Sequence, residues 1–324
     1  MMKLFFCPIL LPIDSVFAPL RTKSTSRQAI TTAASRSRTM RRAFLLCLFA
    51  LSSSLHAQKV STPPPTKPPL VSVDITKLPE GATHLDLWLL CGQSNMKGRG
   101  FMPEEPKNDP RIVMMHKMDD QWYLARHPLH LTGDAKTFQG HDNAGVGPGL
   151  AFAEVLAAQD KTAAIGLVPC AIGGSSIKLW QKGAKLYEEA IRRAKLALQT
   201  TAPVKARLRG VIWLQGEANA NPQELPLHAE RLRAMIEALR ADLALPELPF
   251  IACTIGEMKP EPLLTNLKEM NEIQLALPKS VPHTACVDAR DLKTHIGDSV
   301  HFDTAAQNEI GKRFAAKLTE MTKK

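Results

Sequence analysis

The sequence predicts an α/β fold: a three-layer α/β/α sandwich around a five-stranded parallel sheet. Two observations predict it. Five short apolar runs alternate with five longer segments of helical character, the order that a parallel sheet with crossover helices requires. The runs are also apolar almost throughout rather than at every second residue, as in strands covered on both faces. A chain of 324 residues with 44% hydrophobic content can build one core of that size.

Strands are expected at residues 84–91, 164–170, 210–215, 249–254 and 284–288, and helices at 149–159, 185–199, 222–243, 263–277 and 303–321. The first run, "HLDLWLLC", stops at Gly92. The helix at 149–159 opens on "NAGVGPGLAFA". No strand leads directly into that stretch and no Lys-Ser or Lys-Thr pair closes it, so it does not fit a phosphate loop. It reads instead as the start of a helix on the second face of the sheet. The helix at 185–199 has an approximate apolar face from Leu186, Ile191, Leu196 and Leu198. The last helix is cleaner, with Ile310, Phe314, Ala315 and Leu318 on one side. Residues 107–141 read as a loop facing substrate. They hold Trp122, His127, His130 and His141, whose spacing matches no common metal motif, so no metal is expected.

The net charge of +10 is unevenly placed. Residues 1–57 hold Lys3, Arg21, Lys23, Arg27, Arg36, Arg38, Arg41 and Arg42 against the single acid Asp14, which accounts for seven of those ten charges. The remainder is nearly balanced, so nucleic acid is not an expected partner. Met40-Arg41-Arg42 is followed by "AFLLCLFALSSSL" and then His56-Ala57, the parts of a secretory signal peptide. The apolar run is short for a membrane span, which needs about 20 residues. An uncleaved membrane anchor or a Ser/Thr/Arg-rich targeting peptide is the competing reading; the favoured one is cleavage after Ala57, with translation starting at Met40. The mature protein would then be periplasmic or secreted, with no stable membrane association. "STPPPTKPPL" lies in a proline-rich linker over residues 58–76, and one folded domain covers 77–324. Cys91, Cys170, Cys253 and Cys286 remain after cleavage. Each lies in or beside an apolar run, which favours buried thiols over disulfides.

In an open parallel sheet, ligands bind beyond the carboxyl ends of the strands. Polar residues suited to chemistry stand just there. Gly92-Gln93-Ser94-Asn95 follows the first strand. Cys170-Ala171-Ile172-Gly173-Gly174-Ser175-Ser176 follows the second, and Gln215-Gly216-Glu217-Ala218-Asn219 the third. "GDSVHFD" lies between the fifth strand and the last helix, with Asp298 three residues ahead of His301. Acyl transfer needs a hydroxyl nucleophile, a base, a carboxylate that orients the base, and donors for an oxyanion. Each piece alone is ordinary: a serine after a strand commonly caps a helix, and two glycines commonly make a turn. The combination is what points to a hydrolase.

The blocks "GQSNMKGRG", "VPCAIGGSSIKLW", "WLQGEANA" and "GDSVHFD" resemble those of the sialate O-acetylesterase and acetylxylan esterase family of carbohydrate esterases, within the SGNH hydrolase superfamily. The resemblance runs from about Asp86 to Phe314. It implies a flavodoxin-like SGNH hydrolase fold and an acetylated carbohydrate as substrate, with no cofactor. It implies that Ser94 is the nucleophile, His301 the general base and Asp298 its orienting carboxylate. The backbone N–H groups of Ser94 and Gly174 would hold the oxyanion. The superfamily places an asparagine in a G-x-N-D block as third donor. This chain has "QGEAN" there, so the side-chain amide of Gln215 is expected in that role, with Asn219 as the alternative. Glu217 is expected to fix neighbouring loops by hydrogen bonds, and Asn95 to stabilise its own loop. Glu217 and Asn219 are also candidates for substrate contact. Lys97 and Arg99 are read as solvated, and Trp122 or Trp180 as able either to stack on a sugar ring or to fill the core. Two other functions fit the same fold: a lipase-like or thioester-cleaving hydrolase, and a non-catalytic carbohydrate binder. The complete Ser94, Asp298 and His301 set argues against the binder.

Overall fold

The computed structural model describes residues 69–103, 108–137 and 140–323. The expected signal peptide, the Met40 start and most of the proline-rich linker lie outside the described residues. The strands are β1 (His84–Gly92), β2 (Ile112–Met115), β3 (Trp122–Leu124), β4 (Ala163–Pro169), β5 (Ala206–Leu214), β6 (Phe250–Cys253) and β7 (Thr284–Val287). The helices are α1 (Ser94–Lys97), α2 (Gly149–Gln159), α3 (Lys185–Thr200), α4 (Leu225–Asp242), α5 (Leu263–Ser280) and α6 (Thr304–Thr322). The sheet runs β3-β2-β4-β1-β5-β6-β7, and every neighbour pair is parallel except β2 with β3.

All five expected strands and five expected helices form, to within a few residues. The sheet has seven strands rather than five, because the stretch read as a loop contains β2 and β3. All four residues of β2, Ile112 to Met115, are fully buried, yet a run of four containing two methionines gives little β signal. The hairpin turns at Asp120, at φ 55°.

The strand runs are apolar because both faces are covered. On one face Trp88, Leu90, Ile212 and Leu214 meet Phe152 of α2 and Phe314 of α6. The Trp88 and Phe152 rings pack edge to face with centroids 4.9 Å apart. On the other face Leu87, Leu89, Val211 and Trp213 meet Tyr187 and Ala190 of α3 and Met235 and Ile236 of α4. α5 contributes Met270 to the first cluster and Leu277 to the second. The chain passes from β1 to the β4 side and then returns to build outward from β5. The order therefore reverses between β1 and β5, where a crevice opens at the carboxyl ends.

Three expectations about side chains are corrected. Trp122 is buried and donates its indole N–H to Thr200 Oγ1 at 3.0 Å. Trp180 is buried against Trp213, with centroids 5.1 Å apart, and donates to Ser175 Oγ at 3.1 Å. Neither ring is available to a sugar. Lys97 is buried and paired with Asp142, and Arg99 is half-buried, so neither is a solvated loop residue. Cys91, Cys170, Cys253 and Cys286 are all free.

Candidate active site

β1 ends at Gly92, at φ 134°. A Cβ there would lie 2.2 Å from the carbonyl oxygen of Leu214 in β5, so only glycine lets the two strands approach this closely. Gln93 N–H then bonds Leu214 O at 3.0 Å, and the chain turns at once into α1. Ser94 is the first residue of that single turn, so its N–H has no partner within the helix. The side chain stands at the carboxyl end of β1, beside the crevice.

His301 arrives from the other end of the chain. Its Nε2 lies 2.9 Å from Ser94 Oγ, and its Nδ1 is hydrogen-bonded to Asp298 Oδ2. Asp298 Oδ1 accepts the backbone N–H groups of Val300 and His301, each at 2.9 Å. Burial alone would raise the Asp298 pKa. The backbone N–H of His301, its imidazole and the N–H of Val300 outweigh that and hold it at about 2. Asp298 is therefore ionised over the whole working range. Two residues after His301, Asp303 caps α6 by accepting the Ala306 N–H at 2.9 Å, which fixes the backbone that carries His301.

Asn95 locks the two halves together. It is fully buried. Its amide donates to Glu217 Oε1 at 2.5 Å and to Val300 O at 3.1 Å, and its Oδ1 accepts Phe302 N–H at 3.1 Å. It thus joins the residue after the nucleophile to both sides of His301. Glu217, half-buried, is the partner of this amide, the kind of loop-fixing contact expected of it. Burial raises its pKa, and its own backbone N–H and the Asn95 amide offset part of that rise.

The glycine turn after β4 docks beside the serine. Ile172 N–H bonds Gly92 O at 3.2 Å, and Ser175 Oγ bonds the same oxygen at 3.3 Å. Gly174 turns at φ 69°, with nothing within 4 Å of where its Cβ would be, so the space over it is open. Among the described residues no protein group accepts the N–H of Gly174 or of Ser94. Both are available to an oxyanion.

Gln215 does not fit its expected role. Its amide donates to Ser175 O at 3.2 Å and to Asn219 Oδ1 at 2.6 Å, which uses both N–H groups inside the protein. Asn219 is committed in the same way, donating to Ser176 Oγ at 2.9 Å and to Glu224 Oε2 at 3.2 Å. The two side chains tie the loop after β5 to the glycine turn. Arg99, read from the sequence as solvated, stands instead over the glycine turn, with Nη2 3.0 Å from the point where a Gly173 Cβ would lie. The "GRG" that directly follows the serine turn was the available signal.

A mostly parallel sheet with a serine, a histidine and an aspartate converging at the carboxyl ends of its strands has the arrangement of a serine hydrolase that works by acyl transfer. Residues 84–320 match the family model described as carbohydrate esterase, sialic acid-specific acetylesterase, and the chain belongs to that family. It is 32% identical over 246 residues to the probable carbohydrate esterase At4g34215 of Arabidopsis thaliana, covering 71% of this chain and 88% of that one. The X-ray structure of that Arabidopsis protein superposes with a TM-score of 0.62 at 30% identity, covering 73% of this chain and 98% of the other. The fold is also similar to that of NanS, with a TM-score of 0.62 and 20% identity over 75% of this chain and 99% of NanS. A carbohydrate acetylesterase from Xanthomonas citri, XAC1771, gives 0.51 and 24% over 73% of this chain and 56% of that one.

Proposed function

We propose that this protein removes O-acetyl groups from carbohydrates through an acetyl-serine intermediate, and that it does so outside the cytoplasm. The observation that carries the reaction is the relay Ser94 Oγ to His301 Nε2 at 2.9 Å, continued from His301 Nδ1 to an ionised Asp298. His301 takes the Ser94 proton as the oxygen attacks the acetyl carbonyl. Asp298 keeps the imidazole in the tautomer with its proton on Nδ1 and stabilises the imidazolium that forms. The N–H groups of Ser94 and Gly174 take the oxyanion. His301 then protonates the departing sugar hydroxyl, and afterwards accepts a proton from the water that releases acetate. The export half rests on the sequence Met40 to Ala57. Among the described residues no helix is long and apolar enough to cross a membrane.

The test is acetate release from acetylated polysaccharides and from p-nitrophenyl acetate, by the wild type and by Ser94→Ala. The variant is expected to lose about 10⁴-fold or more in kcat. Equal rates would remove Ser94 from the mechanism. In a series of p-nitrophenyl esters, acetate is expected to be the best substrate. A rate that climbs with acyl length would favour a lipase-like enzyme instead.

A further inference from the structure

Lys117 follows β2 and reaches the start of the glycine turn. Its ammonium donates to Cys170 O at 3.3 Å and to Ala171 O at 3.1 Å, the two carbonyls that lead from β4 into that turn. The side chain is partly buried, and among the described residues no carboxylate lies within ion-pair distance of it. Charged groups face it from several elements and are engaged with one another. Lys97 of α1 pairs with Asp142, and Arg193 and Glu189 of α3 pair with Asp120 and Arg192. His130 and the thiols of Cys91 and Cys170 complete its surroundings. Burial, partly offset by Cys170, lowers the Lys117 pKa to about 8, and Arg193 and Lys97 add to the fall. The charge therefore rests on two backbone carbonyls.

Both carbonyls belong to peptide groups whose N–H ends hold β1. The Cys170 carbonyl shares its peptide with the Ala171 N–H, which bonds Leu90 O at 3.1 Å. The Ala171 carbonyl shares its peptide with the Ile172 N–H, which bonds Gly92 O at 3.2 Å. The Gly92 carbonyl in turn shares its peptide with the Gln93 N–H, which bonds Leu214 O of β5 at 3.0 Å. A cation at the head of such a chain polarises each peptide and strengthens the bonds beyond it. The two oxyanion donors hang from this chain. Gly174 comes two residues after Ile172, and Ser94 directly after Gln93.

We propose that Lys117 is a positioning residue for acyl transfer: its ammonium clamps the end of β4 against β1 and so sets the Gly174 N–H relative to the Ser94 N–H. This rests on the serine-esterase reading above. The ammonium acts through the backbone, and the acetyl chemistry belongs to Ser94, His301 and Asp298. Loss of its proton leaves an amine that still donates, but without charge, so the clamp loosens and the oxyanion is held less well.

The test follows kcat for acetate release from p-nitrophenyl acetate between about pH 7 and about pH 10. Acylation and deacylation both pass through an oxyanion, so kcat reports its donors whichever step is slower. In the wild type kcat is expected to fall about 5- to 30-fold around a midpoint of about 8, with little change in KM. Lys117→Met should lie at or below the bottom of that fall and stay flat. Lys117→Arg, whose charge does not titrate in this range, should keep most of the activity and remove the fall. Cys170 has its own pKa lowered to about 7 by its bond to Cys91, so Cys170→Ala separates thiol from ammonium, and the fall should persist in it. A flat wild-type profile, wild-type kcat in Lys117→Met, or an unchanged fall in Lys117→Arg would overturn the proposal. So would a fall that vanishes in Cys170→Ala. Each of these outcomes leaves the esterase reading standing. Should Lys117→Met melt early, the other three profiles decide. No acetate from the wild type at any pH would end both readings.

Discussion

Among single residues, Asp298 controls how His301 meets the Ser94 hydroxyl, because it holds Nδ1 while Nε2 lies 2.9 Å from Ser94 Oγ. Asp298→Asn is expected to cost about 10²- to 10⁴-fold in kcat, because the amide favours the wrong imidazole tautomer. The same substitution has a signature in stability. The Asp298 pKa is depressed from 3.8 to about 2, so its contribution is fully present above about 4 and is lost as the pH falls through 2. The Tm gap between wild type and Asp298→Asn should therefore narrow between pH 4 and pH 2. A gap that stays constant on acidification would contradict the assigned shift. Asn95 is less visible in sequence, since its partners Glu217, Val300 and Phe302 are more than 120 positions away. Asn95→Ala leaves the Phe302 N–H without its acceptor and the Glu217 carboxyl with one donor fewer. It should cost about 1–3 kcal/mol in urea denaturation and lower kcat, because the link between serine and histidine loops goes with it. Gln215 was misread for a related reason. Its amide type suits an oxyanion, but only the folded loops show that Ser175 and Asn219 use both of its N–H groups.

At the scale of elements, period and length decided what could be read. β1, β4 and β5 are long and largely apolar, and the shorter β6 and β7 are set off by the long helices on either side. β2 and β3 have four and three residues and no long helix between them, so the strand–helix alternation does not mark them. Trp122 was set among loop residues on that account, and its ring turned out to be core. The closeness of β1 and β5 likewise has no local signal beyond a glycine at the strand end. Gly92→Ala would force a Cβ to within 2.2 Å of the Leu214 carbonyl oxygen at φ 134°, so it should cost about 3 kcal/mol or more. A urea midpoint unchanged from wild type would mean that the strands can part there without penalty. Asp303→Ala removes the α6 cap and should cost about 1 kcal/mol.

At the scale of the whole molecule, two ends of the sequence separated by more than 200 residues form one centre, since the strand order reverses between β1 and β5 and the last loop returns to that crevice. The sheet order places the serine turn, the glycine turn and the histidine loop on one rim, which is why motifs scattered along the chain could be read together. The basic charges concentrate in residues 1–57. The proposed export predicts an intact mass for a chain that begins close to Gln58 when the full chain is expressed with a secretion pathway present. If Ser94 is the single nucleophile activated by His301, a serine-reactive phosphonate, followed by peptide mapping and parallel assay of acetate release, will find it. One label per chain is expected, on Ser94, with activity falling in step with labelling and little label in His301→Ala. Label on another residue, or full esterase activity in a fully labelled protein, would contradict it.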